Sequence, residues 1–251
     1  MSLSDDYQQQ VHWRDWPAML AEVPLSSDSH VLDLGCGPGT VTKMIAPHVA
    51  RVTGIDSDPD MVDAAADAPA NVNIKQGDIC DLSGQVPVDG ILAGFTPAYF
   101  PTFGPVLRHW CDHLNPGGWV AMVEVDDMLC GHDPLPGNVR STLRAFCDQV
   151  RRLNAYDFDM GRRLCRTAED CGLHVEKALR FADSELAFQG PASADVLDAW
   201  RRRFARMAGL RKFAGDEEFD ELRTAFLACL ADTAHTSTSQ VVFVLARLGT
   251  G

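Results

Sequence analysis

The sequence is poor in positive charge. Among its 251 residues Lys and Arg number 22 against 35 Asp and Glu, a formal net charge of −13. Such a surface repels phosphate backbones and anionic headgroups at long range. A nucleic-acid partner would need a local basic patch, and a small-molecule substrate is the simpler expectation. Long apolar runs are also missing: none approaches the ~18 residues of a membrane span, so no membrane partner is expected. The opening MSLSDDYQQQ is polar and offers no apolar h-region. Eight cysteines are present, yet no C-x-x-C and no Cys/His cluster with zinc-finger spacing. The nearest pairs, His109 with Cys111 and Cys111 with His113, sit at i, i+2 and point apart on a helix. No metal site is expected. Scattered cysteines predict reduced, mostly buried thiols in a cytoplasmic protein. Repeats, low-complexity stretches and linkers are absent as well, so one domain is expected over 1–251.

What is present is an alternation. Short apolar runs at 30–34, 50–55, 71–76, 88–95 and 119–125 are separated by helical patterns at 40–46, 58–66 and 103–114. Strands separated by helices indicate right-handed crossovers and a parallel sheet. The runs are almost continuously apolar, as strands covered on both faces should be. Asn115-Pro116-Gly117-Gly118 reads as a turn. Beyond residue 126 helical patterns dominate, at 138–153, 162–171, 194–208 and 217–231, with strands expected at 174–181 and 240–248. Val139, Leu143, Phe146, Val150 and Leu153 fall on one face of the first. Ligands of open α/β sheets bind at the carboxyl ends of the strands. The expectation is therefore a doubly wound α/β domain with helices on both faces. Residues 31–125 form the ligand-binding core, 1–24 a helical cap, and 126–235 helical insertions that make a lid.

The sharpest local pattern is Asp33-Leu34-Gly35-Cys36-Gly37-Pro38-Gly39-Thr40, between the first strand and a helix. Glycines permit a tight turn and close approach of a ligand, and the helix start adds partial positive charge. Asp56 follows Gly35 by 21 residues at the end of the second strand. That is where an acid accepts the ribose hydroxyls of an adenine nucleotide. A dinucleotide loop reads G-x-G-x-x-G; this one reads D-x-G-x-G-x-G. A pyrophosphate has no use for a carboxylate at Asp33, whereas a ligand with a cationic amine does. The pattern favours a nucleoside carrying an amino acid.

VLDLGCGPGT resembles the glycine motif of the S-adenosylmethionine-dependent methyltransferases with the Rossmann-like fold. GIDSDPDMVDAA, QGDICDL and LNPGGWVAMVEV continue the resemblance in order through residues 31–125. GRRLCRTAEDCGLHVEKALRF and QVVFVLARL match the family in layout only. The resemblance implies a seven-stranded, mostly parallel sheet with an antiparallel last strand, and S-adenosylmethionine as methyl donor. By position, Gly35, Gly37 and Gly39 would pack on the methionine portion, with Asp33 near its amine. Asp56 would bind the ribose, Asp78 the adenine amino group and the Ile79 amide its ring. Met61 would pack on the adenine face, and Phe95 and Thr96 would flank the methyl. In similar enzymes an N-terminal helix closes over the site, which nominates Tyr7 or Trp13 here.

The chain departs from the Asn/Asp-Pro-Pro-Tyr of enzymes that methylate planar nitrogens; it has Thr96-Pro97-Ala98-Tyr99. Methyl transfer from a sulfonium needs alignment above all, and a base only if the nucleophile must lose a proton. Candidates for such a base are Tyr99, Glu124, Asp126 and His132, with Asp127, Tyr156 and Asp157 as further options. Arg201, Arg202, Arg203, Arg206, Arg211 and Lys212 make the one basic patch, read as a solvated helix face or a site for an acidic substrate. Three functions remain open: a small-molecule methyltransferase, a protein or RNA methyltransferase, and a non-catalytic binder of the cofactor.

Overall fold

A computed structural model describes residues 3–65 and 67–249. The chain opens with helices α1 (Leu3–Val11) and α2 (Trp16–Ala21), then lays down β1 (His30–Leu34), α3 (Thr40–Ile45), β2 (Arg51–Asp56), α4 (Pro59–Asp63), β3 (Val72–Gln76) and β4 (Val88–Gly94). Next come α5 (Phe103–Cys111), β5 (Leu114–Asp126), β6 (His132–Asp133), α6 (Gly137–Arg152), α7 (Leu164–Asp170) and β7 (Leu173–Phe181). The chain finishes with α8 (Ala194–Arg206), α9 (Ala208–Ala214), α10 (Asp216–Ala231), β8 (Thr236–Ser237) and β9 (Gln240–Leu248). Seven strands form one sheet in the order β3-β2-β1-β4-β5-β9-β7. β1 to β5 pair in parallel, and β9 runs antiparallel to both its neighbours. The expected mostly parallel sheet with an antiparallel last strand is the one found.

The apolar runs are covered on both faces, and alternate residues serve different cores. Leu32, Leu34, Ile91, Val120 and Met122 face Phe103, Leu107 and Trp110 of α5 and Leu164 of α7. Val31, Val52, Leu92, Ala121 and Phe243 face Trp16 and Met19 of α2 and Ile45 of α3. A third core lies among the insertions, where α6, α8 and α10 bring together Phe146, Trp200, Phe204, Phe219 and Phe226. At ~25 cal/mol per Å2 of apolar surface, each fully buried Phe or Leu contributes ~1.5–3 kcal/mol before entropy is counted. The insertions therefore have a core of their own rather than lying loosely on the sheet.

Three local departures from the sequence reading have plain causes. The N-terminal stretch 7–20 is two helices, not one. Pro17 cannot donate within a helix interior, and Asp15 caps a new start by accepting from the Ala18 amide at 3.2 Å. The turn at 115–118 is a bulge inside β5: Val88 pairs with Leu114 but Gly90 already pairs with Trp119. Leu153 falls just past the end of α6 and is 69% exposed, so it leaves the apolar face its spacing suggested.

Gly90 is required by close packing. A Cβ there would lie 2.0 Å from the Trp119 ring. We predict that Gly90→Ala lowers stability by about 1–3 kcal/mol, the cost of overpacking. Urea denaturation should show it as a lower midpoint, partly restored by Trp119→Leu in the same chain.

Candidate functional site

The carboxyl ends of β1, β2 and β4 meet around the glycine loop. After Leu34 the chain turns through Gly35 and Gly37, with φ of 73° and 52°, a region that favours glycine. The amides of Gly35 and Cys36 both donate to the Ile55 carbonyl, at 2.8 and 3.2 Å, which ties the loop to β2. A Cβ on Gly35 would stand 2.2 Å from Thr96 Oγ1, so the loop and the segment after β4 are in close contact. At Gly37 a Cβ would meet no atom within 4 Å. Asp56 closes the arrangement. Its Oδ2 accepts from the Gly37 amide at 2.8 Å and its Oδ1 from the Asp58 amide at 3.0 Å, just before α4.

Beside this loop lies a cavity of about 430 Å3. Gly35, Gly37, Asp56 and Met61 line one part of it, and Asp78 and Ile79 another. Phe95, Thr96 and Tyr7 line it as well. Nine of the eleven residues expected at a cofactor site thus meet around one space. The other two stand behind it. Asp33 is 3% exposed, and its Oδ2 accepts from Thr42 Oγ1 at 2.6 Å, joining β1 to α3. Burial pushes its carboxyl up to about 6, against the opposing Thr42 bond. Gly39 caps α3, where a Cβ would strike Ile74 at 2.3 Å. Asp33 is therefore buried behind the residues that line the cavity.

The candidate bases scatter. Tyr99 lines the cavity and is 53% exposed, and its hydroxyl is 3.4 Å from that of Tyr7. Its ring meets Tyr156 edge-on at 5.0 Å, so the chain's three tyrosines converge here. Desolvation in the cleft, with Tyr7 beside it, pushes the Tyr99 phenol far above its usual range, and burial does the same to Tyr156. At neutral pH both phenols therefore keep their protons. Glu124 is fully buried off the cavity wall. Its oxygens accept from the amides of Ala98 and Val125 at 2.9 and 3.2 Å. Burial pushes it up to about 8, although both amide bonds favour the ionised form. It holds the segment that carries Thr96 and Tyr99.

Asp126 pairs with Arg162, Asp127 with Arg144 and Asp157 with Arg163. His132 is neither a surface residue nor part of the cavity. It is buried in the insertion core, 3.1 Å from the His235 ring nitrogen, with Phe226 and Trp200 against its edges. Among the described residues no group of three His, Cys, Asp or Glu side chains could hold a metal ion.

Several wall residues were not singled out from sequence. Gln10, Val11, Arg14 and Trp16 bring the cap onto the cavity. The helical spacing of Tyr7, Val11 and Arg14 was the available signal. Arg14 lies over the Phe95 ring at 4.5 Å and is paired with Glu185 at 3.1 Å. That partner is 171 residues away and leaves no trace in local sequence.

The family model described as a methyltransferase domain matches residues 31–118, the stretch that builds the loop, Asp56, Asp78 and the post-β4 segment. Residues 31–118 are thus similar to a methyltransferase domain. Within and around this domain the chain is similar to the trans-aconitate 2-methyltransferase of Azoarcus sp. (strain BH72), 37% identical over 106 residues, 41% of this chain and 42% of that protein. The match to its Escherichia coli counterpart from strain E24377A is 34% over 113 residues. The chain thus matches less than half the length of these curated relatives. In fold it is similar to a putative methyltransferase from Bacillus halodurans C-125, with a TM-score of 0.64 at 16% identity over 94% of this chain and 99% of the other.

His132 gives this region a testable pH dependence. Burial and the neighbouring His235 lower its pKa from 6.5 to about 4. The unfolded chain then binds the proton more readily than the folded one between those values. The contribution is fully present above pH 6.5 and is lost as pH falls toward 4. The loss amounts to about 3 kcal/mol. Urea midpoints of the native chain and of His132→Gln, compared at pH 7 and 4.5, should differ in slope, the variant losing less stability on acidification.

Proposed function

We propose that the chain is an S-adenosylmethionine-dependent methyltransferase for a small-molecule acceptor. The observation that carries this reading is the single cavity in which Asp56, Asp78, Met61 and the glycine loop meet. Its residue chemistry suits the donor. Asp56 keeps further acceptor capacity for ribose hydroxyls beside its two amide bonds. Met61 and Ile79 offer apolar surface to a purine, and Asp78 an acceptor to its amino group. A volume of about 430 Å3 suits a ligand of that size.

When bound, S-adenosylmethionine supplies a methyl group already activated on a sulfonium. The work left to this chain is to align donor and acceptor and to keep water out. Thr96 and Phe95 would border the methyl, and Glu124 and the Asp157 amide hold their segment through both polar groups of Ala98. Tyr7 and Tyr99 present hydroxyls to the cavity, suited to hold an acceptor heteroatom in line. No base is assigned.

A small acceptor is favoured over protein or RNA because the basic patch is occupied. Arg201 pairs with Asp198, Arg202 and Arg206 with Asp6, Arg203 with Glu185 and Arg211 with Asp216. Among the described residues no helix is long and apolar enough to cross a membrane. All eight cysteines carry free thiols, which suits the cytoplasm.

Calorimetry should show one site for S-adenosylhomocysteine and none for NAD; the reverse would defeat the reading. Asp56→Ala should weaken that binding by more than ~1 kcal/mol through lost hydrogen bonds to a charged acceptor. Unchanged affinity would mean that the ribose lies elsewhere.

A further inference from the structure

Two arginines of α8, Arg202 and Arg206, reach across to the cap. Asp6, one residue before Tyr7 on α1, is only 2% exposed. Its Oδ1 accepts from Arg202 Nε at 2.7 Å and its Oδ2 from Arg206 Nη1 at 2.6 Å. Arg202 also donates to Gln9 Oε1 at 3.1 Å. A second clasp lies below. Fully buried Glu185 accepts from Arg14 at 3.1 Å and from Arg203 on its other oxygen. The Ser184 amide donates to the Trp13 carbonyl at 3.0 Å. The cap that contributes Tyr7, Gln10 and Arg14 to the cavity wall is thereby tied to α8, nearly two hundred residues away in sequence.

A carboxylate taken out of water and shared by two guanidiniums is costly to break apart, because separation leaves a buried charge unpaired. Leu3–Val11 is nine residues long, too short to persist as an isolated helix. Its position therefore depends on what it is fastened to, and on this helix sits the hydroxyl that meets Tyr99.

We propose that Arg202 and Arg206, acting through Asp6, are positioning residues that seat Tyr7 over the donor cavity and govern how fast the bound donor product leaves. The inference rests on the cavity being the S-adenosylmethionine site. A ligand enclosed by the cap leaves when the cap lifts, and lifting requires the Asp6 pairs to part. Salt weakens that pair once it begins to open to water.

The test is stopped-flow release of S-adenosylhomocysteine by the full chain at low and high NaCl. Native release should quicken with salt. Asp6→Asn should release about tenfold faster, since a buried pair is lost, and should lose most of the salt dependence. The double variant Arg202→Gln/Arg206→Gln alters partly exposed side chains and serves if Asp6→Asn does not fold. It should match Asp6→Asn, and combining all three changes should add little, a non-additivity that general loss of stability would not produce. Folded variants that release the ligand at the native rate would overturn the proposal while leaving the cavity assignment intact. A native chain that binds no S-adenosylhomocysteine would overturn the cavity assignment itself.

Discussion

The site is organised by the carboxylate of Asp56. One oxygen takes the amide of Gly37 and the other that of Asp58, so a single side chain spans the glycine loop and the start of α4. The loop needs such an anchor. It runs through left-handed conformations at Gly35, Gly37 and Gly39. Holding it against β2 leaves Gly35 pressed on Thr96 and opens the space beside Gly37. Charge-assisted bonds to amides are among the stronger polar contacts, and both are made without filling the cavity.

How much of this was legible in sequence depends on the range of the interaction. The parallel core and the loop could be read because their causes are local. Alternating faces of apolar residues make a strand, and left-handed turns demand glycine at 35 and 37. Asp56 was legible because its place at a strand end follows from the same crossover that places the loop. Glu124, Asp6, Glu185 and His132 were not legible. Each is a polar residue buried by partners 26, 196, 18 to 171 and 103 residues away, respectively. Nothing in the residues beside them marks the pairing. The tyrosines illustrate the same limit: Tyr7, Tyr99 and Tyr156 stand out each in its own segment, and their convergence exists only in the fold.

The two halves of the chain do different work. The sheet half supplies a floor whose shape is set by backbone and close packing. The cap adds Tyr7, Gln10, Val11, Arg14 and Trp16 to the cavity wall and is fastened by charges at Asp6 and Glu185 to insertions that have their own aromatic core. This division accounts for where the similarity to a methyltransferase domain lies, over 31–118. It also revises the meaning of the acidic composition. Part of the excess carboxylate lines the cavity, and part neutralises arginines that would otherwise form a basic surface.

The most direct measurement is a crystal structure of the chain grown with S-adenosylhomocysteine. The account predicts the ribose hydroxyls within ~3 Å of the Asp56 carboxylate, hydrogen-bonding distance. Adenine should lie between Met61 and Ile79, and the sulfur should face Thr96. A nucleoside seated away from Asp56, with that carboxylate still bonded to Gly37 and Asp58 alone, would contradict it.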